Sequence, residues 1–281
     1  MQDKIGMAVK YGRNAIIGLV RRNRMNWNAE QYLQFERERT QPAIDLANRI
    51  PAREPQRVLD IGCGPGNSTR VLAERFPGAR VMGVDSSPDM IGAAREKHPA
   101  LRFEPCDAST ELGGLGMRFD VIFSNACIQW IPNHPALLEQ MMALLNPGGV
   151  LAVQTPMNER EPIHQIIQEC VAEPHWKEFF PHPRVFYNLK PEEYAGLLAQ
   201  WTEDYTLWET AYIHRLPSHR AILNWYRGTG LRPYLQVLPA REAEQLELEI
   251  LAQLEERYPK QKNGEILFRF PRFFFMAGKP E

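Results

Sequence analysis

The chain has 281 residues, of which 44% are hydrophobic and 24% charged, with a formal net charge of −1. That length and apolar content predict a packed core in one large domain, or one domain with an inserted cap. The near-neutral balance supplies no electrostatic pull toward nucleic acid, so no nucleic-acid partner is expected. The four cysteines, Cys63, Cys106, Cys127 and Cys170, form no CxxC pair, so neither a zinc site nor a dithiol redox motif is supported. They read as reduced thiols of a cytoplasmic protein.

Residues 1–24 carry Lys4, Lys10, Arg13, Arg21, Arg22 and Arg24 around a short apolar run, Ala15 to Val20. The run is too short to span a membrane, and charge follows it where a signal peptide would place small residues. The segment reads as a basic extension, a surface helix or arm, or a stretch ahead of a natural start at Met25. No integral membrane association is expected. Residues 25–50 are expected to form a helical lid, and residues 51–281 the main domain.

Strand-like runs at 57–61, 80–84, 101–104, 119–123 and 150–154 alternate with helix-like segments at 68–76, 88–97 and 135–145. Ser87-Pro88 reads as an N-cap followed by proline at the first helical position. Residues 146–149, Asn-Pro-Gly-Gly, read as a stop and turn before a strand. This alternation predicts an α/β fold, a Rossmann-like, doubly wound and mostly parallel sheet. Beyond Pro156 the pattern changes. Tyr205 to Leu216 and Ile266 to Met276 read as strands. Helical insertions at about 157–200 and 217–263 would form a cap over the sheet. In the second, Ala243, Leu246, Ile250 and Leu254 share one apolar face.

The most informative stretch joins the first strand to the first sheet helix. Asp60 precedes glycines at 62, 64 and 66, and Asp85 ends the second strand. Three glycines let the backbone turn tightly and approach a ligand closely. An acid on the second strand is placed to hold the two hydroxyls of a ribose. The spacing is Asp-x-Gly-x-Gly-x-Gly and not the dinucleotide pattern G-x-G-x-x-G. An acid before the first glycine repels a pyrophosphate and suits the ammonium of an amino acid, which favours S-adenosylmethionine over NAD. The residues expected to hold this cofactor are Asp60, Gly62, Cys63, Gly64 and Gly66 of the loop, and Asp85, Ser86 and Met90 around the second strand. Asp107 and Ala108, after the third strand, are placed for the adenine, and Asn125 follows the fourth.

The acceptor would lie beyond the carboxyl ends of the strands. Gln129 and Trp130 follow the fourth strand, and His164 follows the fifth. For an anionic acceptor, guanidinium forks at Arg39, Arg232 or Arg272 are candidates. Arg232, between a glycine turn and a proline, is the preferred anchor. His98 reads as a surface residue. No GxSxG and no metal-ligating histidine pair occurs.

The run Val58 to Gly66 resembles motif I of the class I S-adenosylmethionine-dependent methyltransferases. From about Trp27 to Ala277 the chain resembles the branch that methylates trans-aconitate-like acids. The matching pieces are Trp27 with residues 32–35, then 60–69, 83–88, 125–134, 149–154, 229–235 and 270–272. Segment 157–200 matches poorly apart from Glu161-Pro162 and His164. The resemblance implies methyl transfer to a carboxylate of a small polycarboxylic acid, with Gln129, Trp130, His164 and Arg232 at the reaction site. A carboxylate is ionised at neutral pH and needs no general base. A sulfonium is an activated methyl donor, so no metal is expected, and alignment supplies the catalysis. The alternatives are a methyltransferase forming a malonyl-carrier ester, a phenol O-methyltransferase using His134 or His164 as base, and a non-catalytic cofactor-binding module. Oligomeric state is not legible.

Overall fold

The computed structural model describes residues 36–51, 54–181 and 185–281. The basic segment 1–24 and the first part of the expected lid, 25–35, lie outside the described residues. Seven strands form one sheet: β1 (Arg57–Ile61), β2 (Arg80–Asp85), β3 (Arg102–Pro105), β4 (Phe119–Asn125), β5 (Leu145–Pro156), β6 (Tyr205–Leu216) and β7 (Ile266–Gly278). Their order is β3-β2-β1-β4-β5-β7-β6. Strands β1 to β5 are parallel, and β7 runs antiparallel between β5 and β6. The order reverses between β1 and β4. At such a switch point the loops leaving the two strands diverge and open a crevice.

Helices cover both faces, which is why the central strands are runs of Val, Ile, Leu and Phe without polar alternation. On one face lie α1 (Glu36–Arg49) and α2 (Asn67–Arg75). Ala43, Leu46 and Ala47 pack there with Val58, Val121, Phe123, Ala152 and Phe274. On the other face α4 (His134–Leu144) and α6 (Pro191–Leu198) bring Leu138, Met141 and Tyr194 onto Leu59, Ile122 and Phe273. Helix α3 (Pro88–Lys97) begins as expected, with the Ser87 hydroxyl accepting from Met90 N–H and proline in the first turn.

A second apolar cluster lies beyond the sheet's carboxyl end. It joins α5 (Pro162–Ala172), α7 (His219–Arg227), α8 (Arg232–Leu235) and α9 (Ala240–Arg257) to Phe268 and Phe270 of β7. Leu246, Ile250 and Leu254 of α9 are fully buried within it.

Two local expectations are corrected. The turn at 146–149 does not precede β5 but loops out of it. Leu145 pairs with Phe119 and Val150 with Val121, so the strand resumes after the excursion. Gly148 takes a positive φ of 69°, and Asn146 ties the loop to Asp120. His98 is half-buried, not on the surface, and its ring lies near Gly66 and Phe103.

Candidate functional site

The glycine loop leaves β1 with positive φ at Gly62, Gly64 and Gly66. Its amides are anchored to the next strand, Gly62 and Cys63 N–H donating to the Val84 carbonyl at 2.8 and 3.0 Å. A Cβ at Gly62 would stand 2.2 Å from Cys127 Sγ, so the β1 and β4 loops close on each other there. A Cβ at Gly64 would meet nothing within 4 Å, so this glycine faces open space.

Asp60 is wholly buried under the loop. Its Oδ2 accepts from Ser68 Oγ at 2.6 Å and Thr69 Oγ1 at 2.7 Å. Its Oδ1 is buried with no hydrogen-bond partner among the described residues. Burial pushes the carboxyl pKa from 3.8 up to about 6, against the two hydroxyl bonds that lower it. A buried carboxylate oxygen without a donor suits an incoming ammonium. Asp85 is held ready at the end of β2. Its Oδ2 accepts from Gly64 N–H at 3.0 Å and its Oδ1 from Ser87 N–H at 2.8 Å, while burial raises its pKa.

A pocket of about 300 Å³ adjoins the loop, lined by Arg39, Thr40, Gly62, Cys63, Ser68 and Asn125 among others. Asp60 below the loop and Arg39 across the pocket offer opposite charges, as an amino-acid zwitterion requires. Ser86 is exposed and Met90 buried at the start of α3. Asp107 is exposed and caps its own turn, Oδ1 accepting from Ser109 N–H and Oγ. Ala108 is buried in the core. The residues present fit S-adenosylmethionine: Asp60 would face the methionyl ammonium, Asp85 the ribose and Asp107 the adenine end.

A larger cavity, about 570 Å³, lies beyond the ends of β4 and β5. Volumes of this size hold small-molecule ligands. Its wall is aromatic, with Trp130, Phe186, Trp225, Tyr226 and Phe270, and its polar groups include Arg39, Arg272, His164 and Gln129. Arg39 and Arg272 are 6% and 5% exposed. Arg39 Nη2 donates to the Trp225 carbonyl at 3.0 Å, tying α1 to the cap. The Arg272 guanidinium lies 4.3 Å from the Phe270 ring centroid. His164 meets Phe186 and Tyr226 edge-on at 5.2 and 5.4 Å. Tyr226 takes a bond from Asn158, and burial pushes its hydroxyl pKa well up, so it stays neutral. Between β4 and this cavity Ala126 holds a φ of 54°, a strained value for a residue with a Cβ.

The structure brings Gln129, Trp130 and His164 together in this cavity. Gln129 also holds its own loop: Nε2 donates to the Ala126 carbonyl, and Oε1 accepts from Thr155. Arg232 departs from expectation, since it is not among the lining residues. The turn delivers Thr229 and Gly230 to the wall, and Arg232 stands at the start of α8. Partial burial lowers its pKa, opposed by the Asp89 carboxylate. His134, a candidate base, is 1% exposed. Its ring nitrogens meet the Ile128 carbonyl and the Tyr194 hydroxyl. Asn158, Phe186 and Tyr226 carry no motif in the sequence, and Gln154 reads there only as part of a strand.

The switch-point crevice, the acid-and-glycine loop and the ribose acid define a class I S-adenosylmethionine-dependent methyltransferase. A methyltransferase-domain family matches residues 35–236. Trans-aconitate 2-methyltransferase of Shigella flexneri is 41% identical over 256 residues, covering 91% of this chain and 99% of that protein. The enzyme of the same name from Rhodopseudomonas palustris is 43% identical, covering 90% and 99%. In fold, the chain is similar to the YcgJ protein of Bacillus subtilis, with a TM-score of 0.56 at 15% identity, covering 86% and 99%. The chain belongs to the trans-aconitate 2-methyltransferase family and is an S-adenosylmethionine-dependent enzyme. Among the described residues no helix is long and apolar enough to cross a membrane.

Proposed function

We propose that this chain methylates one carboxylate of trans-aconitate, or of a closely similar small polycarboxylic acid, in the cytoplasm, giving a methyl ester. The observation that carries this reading is the pair Arg39 and Arg272, two largely buried guanidiniums lining one aromatic cavity beside the glycine loop. Guanidinium forks recognise carboxylates bidentately and concentrate positive potential where a polyanion would lie. One carboxylate is left to face the loop, where the cofactor supplies an activated methyl group.

The chain's own contribution is placement. Arg272 and Arg39 fix the acceptor, while Gln129 and Trp130 close the side toward β4. The aromatic wall keeps water out. Neutralisation of a carboxylate by a sulfonium is favoured in such a dry site. His164 lines the cavity as a polar contact for the acceptor. No proton need be removed from an acid that is already ionised. His134 is engaged in the core, which leaves His164 as the candidate base for a phenol acceptor.

The test is turnover of labelled S-adenosylmethionine with a panel of mono-, di- and tricarboxylic acids. Trans-aconitate is expected to exceed matched monocarboxylates in kcat/KM by about tenfold or more for each lost charge-assisted contact. Equal turnover of monocarboxylates, or turnover of a phenol alone, would overturn the reading.

A further inference from the structure

Among the described residues, Arg39 is the one on the lining of both the glycine-loop pocket and the acceptor cavity. It comes from α1, and it also bonds the cap through the Trp225 carbonyl. A guanidinium is a planar fork with donors along more than one edge, so a single side chain can face two ligand spaces. The sheet beneath it carries a further observation. Gln154 of β5 is fully buried, and neither atom of its side-chain amide has a hydrogen-bond partner among the described residues. Its register partner on β4 is Asn125, whose Oδ1 is also buried without a partner. Successive residues of a strand alternate faces, so Gln154 shares a face with Pro156, two positions on. Asn125 lines the first pocket with Arg39, and Pro156 lines the second with Arg39. Gln154 therefore lies on the sheet between the two places where Arg39 meets a ligand space. Buried amides are rarely left without partners, and one that is calls for an explanation, of which a group that binds nearby is one.

We propose that Arg39 couples the two subsites, bridging the cofactor's methionyl carboxylate and a carboxylate of the acceptor, so that the two ligands bind cooperatively. Gln154 is a positioning residue that steadies this bridge once both are in place. The inference rests on the polycarboxylate reading above. Acceptor and cofactor each raise the other's affinity by the same factor, because coupling is reciprocal.

The experiment is calorimetric titration of the whole chain with S-adenosylhomocysteine, which binds without turnover, in the absence and presence of saturating trans-aconitate. In the wild type trans-aconitate is expected to tighten S-adenosylhomocysteine binding by roughly five- to a hundredfold. Arg39→Lys keeps the charge but loses the fork and should bring that factor close to one. Gln154→Met matches the side chain in shape and removes the orphaned amide. It should lower the coupling factor while leaving the melting temperature unchanged or higher, a pairing that a purely structural glutamine would not produce. If trans-aconitate itself fails to bind, the polycarboxylate reading falls, and this inference falls with it. If both ligands bind with no coupling in the wild type, the inference alone is overturned. Undiminished coupling in Arg39→Lys removes Arg39 from the role, and undiminished coupling in Gln154→Met removes Gln154.

Discussion

Replacing Asp60 with Asn separates the cost of the cofactor site from its use. Burial pushes the Asp60 carboxyl pKa up to about 6, against 3.8 ordinarily, outweighing its bonds from Ser68 and Thr69. At 1.36 kcal/mol per unit, this shift amounts to about 3 kcal/mol. Its sign follows from linkage. A carboxyl raised in the folded state contributes stability that is complete below about pH 3.8 and lost as pH rises through about 6. Near pH 8 the folded protein thus carries a buried, ionised carboxylate at a cost of about 3 kcal/mol. Asparagine keeps the acceptor for both hydroxyls and removes the charge, but leaves an amide N–H₂ in place of Oδ1, worth about 1–3 kcal/mol against it. The net change is about 0–2 kcal/mol of added stability, and the melting temperature should rise by up to about 4–8 °C near pH 8. Below about pH 4 the advantage should vanish. Near pH 8, where Asp60 is ionised, Asp60→Asn should bind S-adenosylmethionine at least tenfold more weakly, since the ammonium loses its counter-charge. Thermal melts across pH and calorimetric titration read both quantities. A variant that binds like the wild type, or melts many degrees lower at pH 8, would refute the reasoning.

Three further outcomes are expected. Arg272→Ala should raise KM for trans-aconitate roughly ten- to a hundredfold, about 1.5–3 kcal/mol, with S-adenosylmethionine affinity unchanged. An unchanged KM in steady-state kinetics would place the anchor elsewhere. Gly62→Ala, at φ 74° with its Cβ 2.2 Å from Cys127 Sγ, should lower the melting temperature sharply. Gly64→Ala should stay folded, at about 1–2 kcal/mol, and lose cofactor affinity, which binding and melting assays together will distinguish. Burial lowers the His134 pKa from 6.5, so its contribution to stability is complete above that value and lost as pH falls below it. Wild type should therefore lose more stability than His134→Gln between about pH 7 and pH 5, by thermal melts. Parallel losses would show that His134 does not titrate in this way.

The glycine loop was legible in sequence because its requirements are local. Three positive-φ positions, an acid before them and an acid ending the next strand lie within 26 residues, and their spacing alone distinguishes a zwitterion from a pyrophosphate. The alternation of strands and helices was legible for the same reason. The acceptor cavity was legible only as scattered candidates, Gln129, Trp130, His164 and three arginines, without the pairing that brings two of those arginines together. Arg272 reaches it because β7 inserts antiparallel beside β5 and sets Arg272 against Pro156. Arg39 reaches it through a contact with Trp225, 186 residues away. Neither pairing has a periodicity to read. Arg232 drew attention through its glycine and proline neighbours, but those residues bend the chain so that Thr229 and Gly230 meet the cavity. The orphaned amide of Gln154 is invisible in a strand that otherwise reads as core.

The central claim is ester formation on a polycarboxylate, and the product tests it most directly. The protein is incubated with methyl-labelled S-adenosylmethionine and trans-aconitate, and the product is analysed by mass spectrometry before and after mild base. The account predicts a singly methylated acid that carries the label and releases it as methanol in base, returning trans-aconitate. A labelled product that survives base, or label transferred with no polycarboxylate consumed, would contradict it.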